Sequence, residues 1–243
     1  MIPRIYTPVD LAVDDTITLE KSASAHIAKV LRMSCGDSLI IFNGDGYNYA
    51  AEIVQAGKFV NVCVKEQQAN TTESPLRITL VQGVSRSDRM DYALQKSVEL
   101  GIVEFAPVFT EKSSVKLDAT RADKKVKHWQ SVAISAAEQS GRSRIVDVKA
   151  PVTLTQWLAD SDYPEKIIAL EPTAEKTLRD CAVDKECVLL VGPESGFSAN
   201  EIAQIRDHKI TAAKLGPRVL RTETAAVAAI TALQTLYGDL SLD

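Results

Sequence analysis

No run of about 18 apolar residues occurs anywhere in the 243-residue chain, and its start, Met1-Ile2-Pro3-Arg4-Ile5-Tyr6, lacks the apolar segment of a secretory leader. Neither a membrane span nor export is expected, and a cytoplasmic location is. The four cysteines, Cys35, Cys63, Cys181 and Cys187, form no C-x-x-C pair, and His26, His128 and His208 stand far apart. A disulfide frame or a zinc site would need closer and paired spacing, so buried thiols and no metal are expected. No Gly-Lys-Ser/Thr follows any glycine loop, which disfavours a nucleotide-hydrolysing phosphate cradle. Repeats and low-complexity tracts are absent. Excess positive charge is absent as well: the net charge of −4 argues against a protein that coats nucleic acid by bulk charge.

With 45% hydrophobic and 25% charged residues, what remains is the makeup of a globular protein able to bury a full core. Basic residues nonetheless gather locally: Arg86 with Arg89, Lys112 with Lys116, Arg121 with Lys124, Lys125 and Lys127, and Arg142 with Arg144. Any one group has a solvated helix face as its ordinary explanation. Several near a ligand loop favour an anionic partner.

Two regions differ in pattern. Over residues 1–70 the signals are those of a small β unit, expected to be a barrel. Ser38–Phe42 and Tyr47–Val54 flank the hairpin signal Asn43-Gly44-Asp45-Gly46, and Val60, Val62 and Val64 alternate in a further strand. One short helix, with Ser22 as its cap and Gly36 past its end, interrupts them. Gln67–Pro75, polar and closed by proline, marks a boundary. From residue 75 to 243, strands alternate with helices, which means a mostly parallel sheet covered on both faces. Strands are expected at Leu76–Val84, Ile102–Phe109, Ile145–Val148, Lys166–Leu170, Cys187–Val191 and Lys209–Leu215. The first helix has Met90, Ala93, Leu94, Ser97 and Val98 on its inner face and stops at Gly101. A long helix from about Asp118 to Ser140 has Val126, Trp129, Ala133, Ala136 and Ala137 on one stripe; others are expected near Thr153–Ala159, Ser198–His208 and Thr222–Tyr237.

Two loops carry the functional signal. In "VLLVGPESGFSANEI", a strand buried on both faces breaks at Gly192-Pro193, and Ser198 with Glu201 forms a capping box that starts a helix. In "LGPRVLRTETAA", a second strand breaks at Gly216-Pro217; Thr222 is the expected cap and Glu223 lies in the first helical turn. Alone, a Gly-Pro elbow is also an ordinary tight connection. Two such loops at neighbouring strand ends could enclose a flat ligand such as an adenine ring between main-chain groups, in the place where open α/β sheets bind ligands. The alanines of the last helix are explained either by close packing, internal or against a second subunit, or by simple helix propensity.

"VGPESGFS" followed by "LGPRVLRTETAA", together with "PRIY", "HIAKVLRMSCGD", "QKSVELGI", "EQSGR" and "ITALQTLYGDL", resembles the ribosomal RNA small-subunit methyltransferase E family of the SPOUT class over essentially the whole chain. The resemblance implies an N-terminal PUA-like RNA-binding barrel and a C-terminal α/β domain tied in a deep trefoil knot, which periodicity could never reveal because knots are nearly absent from folds. It implies a homodimer that uses S-adenosylmethionine to methylate N3 of one uridine in small-subunit (16S) ribosomal RNA. Carried onto this chain, the cofactor loops are Leu170 and Glu171; Gly192, Pro193, Glu194 and Gly196; and Leu215, Gly216, Leu220, Arg221, Thr222 and Glu223. The family's usual glycine is replaced by Ser195, so strain is expected if that position is left-handed.

Uridine N3 bears a proton and sits on the Watson–Crick edge, so the reaction needs an unpaired base and either a general base or a cation to stabilise the anion. Arg221 is the expected cation; Glu223 and Glu194 either handle protons or fix the loop. Arg4, Arg86, Arg89, Arg142 and Arg144 are the candidate RNA contacts. The alternatives are an RNA-binding assembly factor without chemistry and a related ribose 2′-O-methyltransferase.

Overall fold

The computed structural model describes residues 2–113, 119–159, 163–164 and 166–240; Lys116 of the basic groups and the expected helix start Asp118 lie outside them. The chain forms two compact units. The first comprises residues 1–73 and also 137–145; the second comprises 74–136 and 146–243.

In the first unit, β1 (Arg4–Tyr6), β2 (Thr16–Thr18), β3 (Ser38–Phe42), β4 (Tyr47–Gln55) and β5 (Asn61–Ala69) form a small curled sheet in the order β1-β3-β4-β5-β2. The hairpin signal is a real turn: Gly44 and Gly46 have φ of +98° and +96°, and the Tyr47 N–H donates to Asp45 Oδ1 at 2.8 Å. Val60, Val62 and Val64 are fully buried with Ile41 and Ile53, as strict alternation dictates. The short helix α1 (Lys21–Ala25) widens into a π turn over His26–Leu31. Ser22 does not cap it; Glu20 is the N-cap, without a side-chain bond, and Arg32 closes the π turn with φ +56° where glycine was expected to. Gly36 serves a later turn, its N–H donating to Ile53 O.

In the second unit, the strands β6 (Arg77–Gly83), β7 (Ile102–Phe109), β8 (Asp147–Val148), β9 (Val152–Thr153), β10 (Ile167–Leu170), β11 (Glu186–Val191) and β12 (Thr211–Ala213) make one parallel sheet. Its order is β12-β10-β11-β6-β7-β8, with β9 also pairing β7. The helices are α2 (Ser87–Glu99), α3 (Ala119–Ser140), α4 (Leu154–Ala159), α5 (Ala199–Asp207) and α6 (Thr222–Tyr237). All five residues expected on the inner face of α2 are buried, and Gly101 ends the turn with φ +89°. Along α3, Trp129, Ala133, Ala136 and Ala137 are buried; Val126 is only partly so. The strand order puts β10, β11 and β12 side by side, and the chain leaves the carboxyl ends of β11 and β12 through the two glycine loops.

Candidate functional site

A cavity of about 370 Å³ opens where β10, β11 and β12 end. That is within the range of roughly 300–1,000 Å³ typical of small-molecule sites. Three loops line it, beginning at Leu170, Gly192 and Leu215. Of the twelve residues expected to hold a cofactor, Leu170, Glu171, Gly192, Pro193, Glu194, Gly196, Leu215, Gly216, Leu220 and Thr222 line the cavity, whereas Arg221 and Glu223 do not. The alternation is local: Leu220 and Thr222 turn inward at the start of α6, and Arg221 between them is exposed. Glu223 is partly buried, and its Oε2 has no hydrogen-bond partner among the described residues.

The glycines have separate reasons. Gly196 and Gly216 have φ of +66° and +85°, and no atom lies within 4 Å of where a Cβ would stand, so both leave open space for a ligand to approach the backbone. Apolar side chains of Leu170, Val191, Phe197, Leu215 and Leu220 supply flat-ring surface. Glu171 adds a carboxylate, held by the Thr173 hydroxyl at 2.7 Å. Main-chain polar edges, apolar walls and a carboxylate fit a ligand with an aromatic base at one end and a cation at the other.

Thr222 was the expected helix cap, and it is not one: Arg221 occupies the N-cap and no side chain caps the helix. The Thr222 hydroxyl instead donates to Gly192 O at 2.6 Å and accepts from Gln82 Nε2 at 2.8 Å. One residue thus ties the second loop to the first and to β6, and Gln82, 1% exposed, belongs to the site's support. Nothing local marks Gln82, since a glutamine at a strand end has no periodic meaning. The capping box does form, with Glu201 N donating to Ser198 Oγ and Ser198 N to Glu201 Oε2. Glu201 also accepts from Glu111 N, and Lys112 Nζ donates to Phe197 O, so the turn after β7 braces the first loop.

Ser195 departs from expectation. Its backbone is not left-handed; the left-handed residue is the next one, Gly196. Its hydroxyl donates to Lys112 O at 2.8 Å, so serine here tethers the loop and carries no glycine-type strain.

Glu194 accepts from Arg86 N at 3.2 Å and pairs with Arg89 Nη1 at 3.2 Å. Burial alone would raise its pKa, but hydrogen bonds from its own N–H and that of Arg86, with the Arg89 charge, bring it below the ordinary carboxylate range. A carboxylate so held is a loop brace and a poor proton acceptor.

The arginines picked out as RNA contacts divide. Arg4 Nη2 donates to Asn48 Oδ1, Ser143 Oγ and Arg142 O, and its guanidinium lies over the Phe42 ring. Arg142, 3% exposed, grips Glu73 through Nε and Nη2. Both serve the interior of the first unit: Arg142 is buried against Glu73, and Arg4 spends Nη2 on three acceptors there. Arg89 is committed to Glu194; Arg86 and Arg144 are exposed.

The fold and site together define a SPOUT-class α/β protein with a PUA-like unit at its start. Residues 72–234 match the model of the RNA methyltransferase domain, and residues 19–62 match that of the RNA methyltransferase PUA domain. A ribosomal RNA small subunit methyltransferase E from Buchnera aphidicola is 40% identical over 99% of this chain and 98% of its own length. The Neisseria gonorrhoeae protein of the same name, solved bound to S-adenosyl methionine, superposes with a TM-score of 0.91 at 35% identity over 99% of this chain and 100% of that one. A methyltransferase from Legionella pneumophila, solved with bound S-adenosylmethionine, gives 0.95 at 39% identity with the same coverage. The chain belongs to the ribosomal RNA small subunit methyltransferase E family.

Proposed function

We propose that the chain methylates small-subunit ribosomal RNA with S-adenosylmethionine as donor, at N3 of one uridine, as a homodimer in the cytoplasm. The observation that carries this reading is the cavity formed by the three loops, whose open glycine backbones, apolar walls and Glu171 carboxylate suit S-adenosylmethionine. When bound, the sulfonium of that cofactor supplies an electrophilic methyl group. The protein's part is to hold the donor, exclude water and prepare the acceptor. Arg221, exposed beside the cavity mouth, supplies positive charge toward an anion forming on the base. Glu223, with an unpartnered carboxylate oxygen in the first turn of α6, is better placed to take a proton than Glu194, whose carboxylate is occupied. Exposed apolar residues on α2 and α6, Tyr92 and Leu236, support pairing with a second copy, and the knotted path through the two loops is part of the same reading.

The test is incubation with labelled S-adenosylmethionine and small ribosomal subunits from cells lacking the gene, followed by RNA digestion and mass identification of the nucleoside. Label in N3-methyluridine is expected. Label on a ribose 2′-oxygen would assign the rival methyltransferase, and cofactor binding with no label would point to another RNA; neither binding nor label would leave an assembly factor.

Two consequences concern the donor site. Ser195→Gly removes the tether to Lys112 and relieves no strain, so S-adenosylmethionine affinity is expected to fall a few-fold, roughly the worth of one exposed hydrogen bond. Calorimetry showing tighter binding would contradict the assignment. The pH response follows from Glu194, whose pKa is depressed in the folded protein. Its contribution is present above the unfolded carboxylate value and is lost as pH falls through the lower folded value. Cofactor affinity should hold from neutrality to the ordinary carboxylate range and decline only below it, and Glu194→Gln should flatten that acid limb.

A further inference from the structure

Helix α3 carries Arg121, Lys124, Lys125 and His128 at intervals of three and four, which places all four on one side of the helix. That side flanks the buried stripe headed by Trp129, so it faces the groove beside α2. A groove of about 490 Å³ is lined by these four together with Ser87 and Asp91 of α2. Lys125 Nζ donates to Ser87 Oγ, and His128 Nε2 lies 2.8 Å from Asp91 Oδ2. Lys124 is exposed, with no ion-pair partner among the described residues. The acidic neighbours are Asp88 and Asp91 on α2 and Asp123 on α3; Asp123 points to another side of its helix by the same spacing rule.

The start of α2 links the groove to the cofactor site. Ser87 is the first residue of α2, and the two arginines around it, Arg86 and Arg89, hold Glu194 of the first cofactor loop. Cations therefore run from the cavity rim along the start of α2 to α3, on a chain whose net charge is −4. No large apolar side chain lines the groove, so it offers no anchor for a protein partner. Lysines acting as point charges, a hydroxyl and the N-terminus of a 13-residue helix are instead donors suited to phosphate oxygens.

We propose that this groove seats the RNA backbone next to the target nucleotide, binding consecutive phosphates so that the base reaches the cofactor cavity. The inference rests on the ribosomal RNA methyltransferase reading above. Lysine contacts of this kind position the strand and carry no sequence information.

The test measures binding of a small-subunit ribosomal RNA fragment by fluorescence anisotropy over a salt series for wild type, Lys124→Glu/Lys125→Glu and Lys127→Glu. Lys127 lies off the stripe and makes the same charge change per residue. For the double variant, RNA affinity is expected to fall by roughly 10–100-fold, and the slope of log K against log salt to become shallower by about 1–2, at about 0.7 per single-strand phosphate. Lys127→Glu is expected to change affinity less than about 3-fold. S-adenosylmethionine affinity and thermal midpoint should be unchanged in both, and on subunits KM should rise with kcat kept. Wild-type affinity and salt slope in the double variant, or an equal loss in Lys127→Glu, would overturn the groove while leaving the methyltransferase reading intact. A wild type that neither binds ribosomal RNA nor labels it would overturn that reading, and the groove with it.

Discussion

Arg142→Ala is expected to lower the stability of the first unit by about 3 kcal/mol, near the low end of the cost of breaking a buried ion pair. Arg142 sits in the first unit although it is far along the chain, since residues 137–145 belong there. Its side chain is 4% exposed and holds Glu73 with contacts of 3.2 Å from Nε and 2.6 Å from Nη2. Around it, Asn70 Nδ2 donates to Gly141 O and Ser143 Oγ, and Arg4 donates to Arg142 O. Removal leaves the Glu73 carboxylate without its cation; that group is 21% exposed and can partly rehydrate, which sets the estimate at the low end. In a unit of this size the thermal midpoint should fall by the order of 10 °C, read by circular dichroism. Arg142→Lys keeps the charge but loses the two-point grip, so an intermediate loss is expected. A midpoint within about 2 °C of wild type for Arg142→Ala would show that the pair contributes nothing beyond a surface one.

Gly83→Ala is expected to weaken S-adenosylmethionine binding by roughly 10–100-fold, the cost of displacing a site by about an ångström. A Cβ on Gly83 would stand 2.5 Å from both Cδ and N of Pro193 and 2.9 Å from the carbonyl carbon of Gly192. These are backbone and ring atoms, so the first loop itself must move. That loop lines the cavity and receives the Thr222 hydroxyl at Gly192 O, so its displacement is felt in both walls. Overpacking costs about 1–3 kcal/mol of stability as well. Gly57→Ala is the control: its nearest neighbour would be Phe59 O at 3.7 Å, and neither binding nor stability should change. Calorimetry giving wild-type affinity for Gly83→Ala would mean that the loop moves freely without harming the site.

Much of the architecture was legible because it is written in local spacing. Alternation gave Val60, Val62 and Val64; the helical period gave the inner face of α2; Ser198 and Glu201 gave the start of α5; and eight of the ten expected cavity residues lay in motifs whose order matches one family. Roles that depend on a distant partner were not legible. Thr222 has the composition of a cap, and only the approach of β6 and Gly192 turns its hydroxyl elsewhere. Arg4 and Arg142 look like surface cations in sequence, and only the return of residues 137–145 to the first unit buries them among acceptors.

The sequence by itself determined most of the longer strands and helices, which of their faces are apolar, where the two glycine loops fall, and the family, because each depends on neighbours within a few residues or on motif order. Only the tertiary structure decided that Ser195 tethers a loop instead of straining it, that Gly83 lets that loop pass, and that α2 and α3 bring their cations to one groove beside the cofactor cavity. The physical reason is that these are contacts between residues tens of positions apart, set by the path of the backbone, on which no local pattern bears.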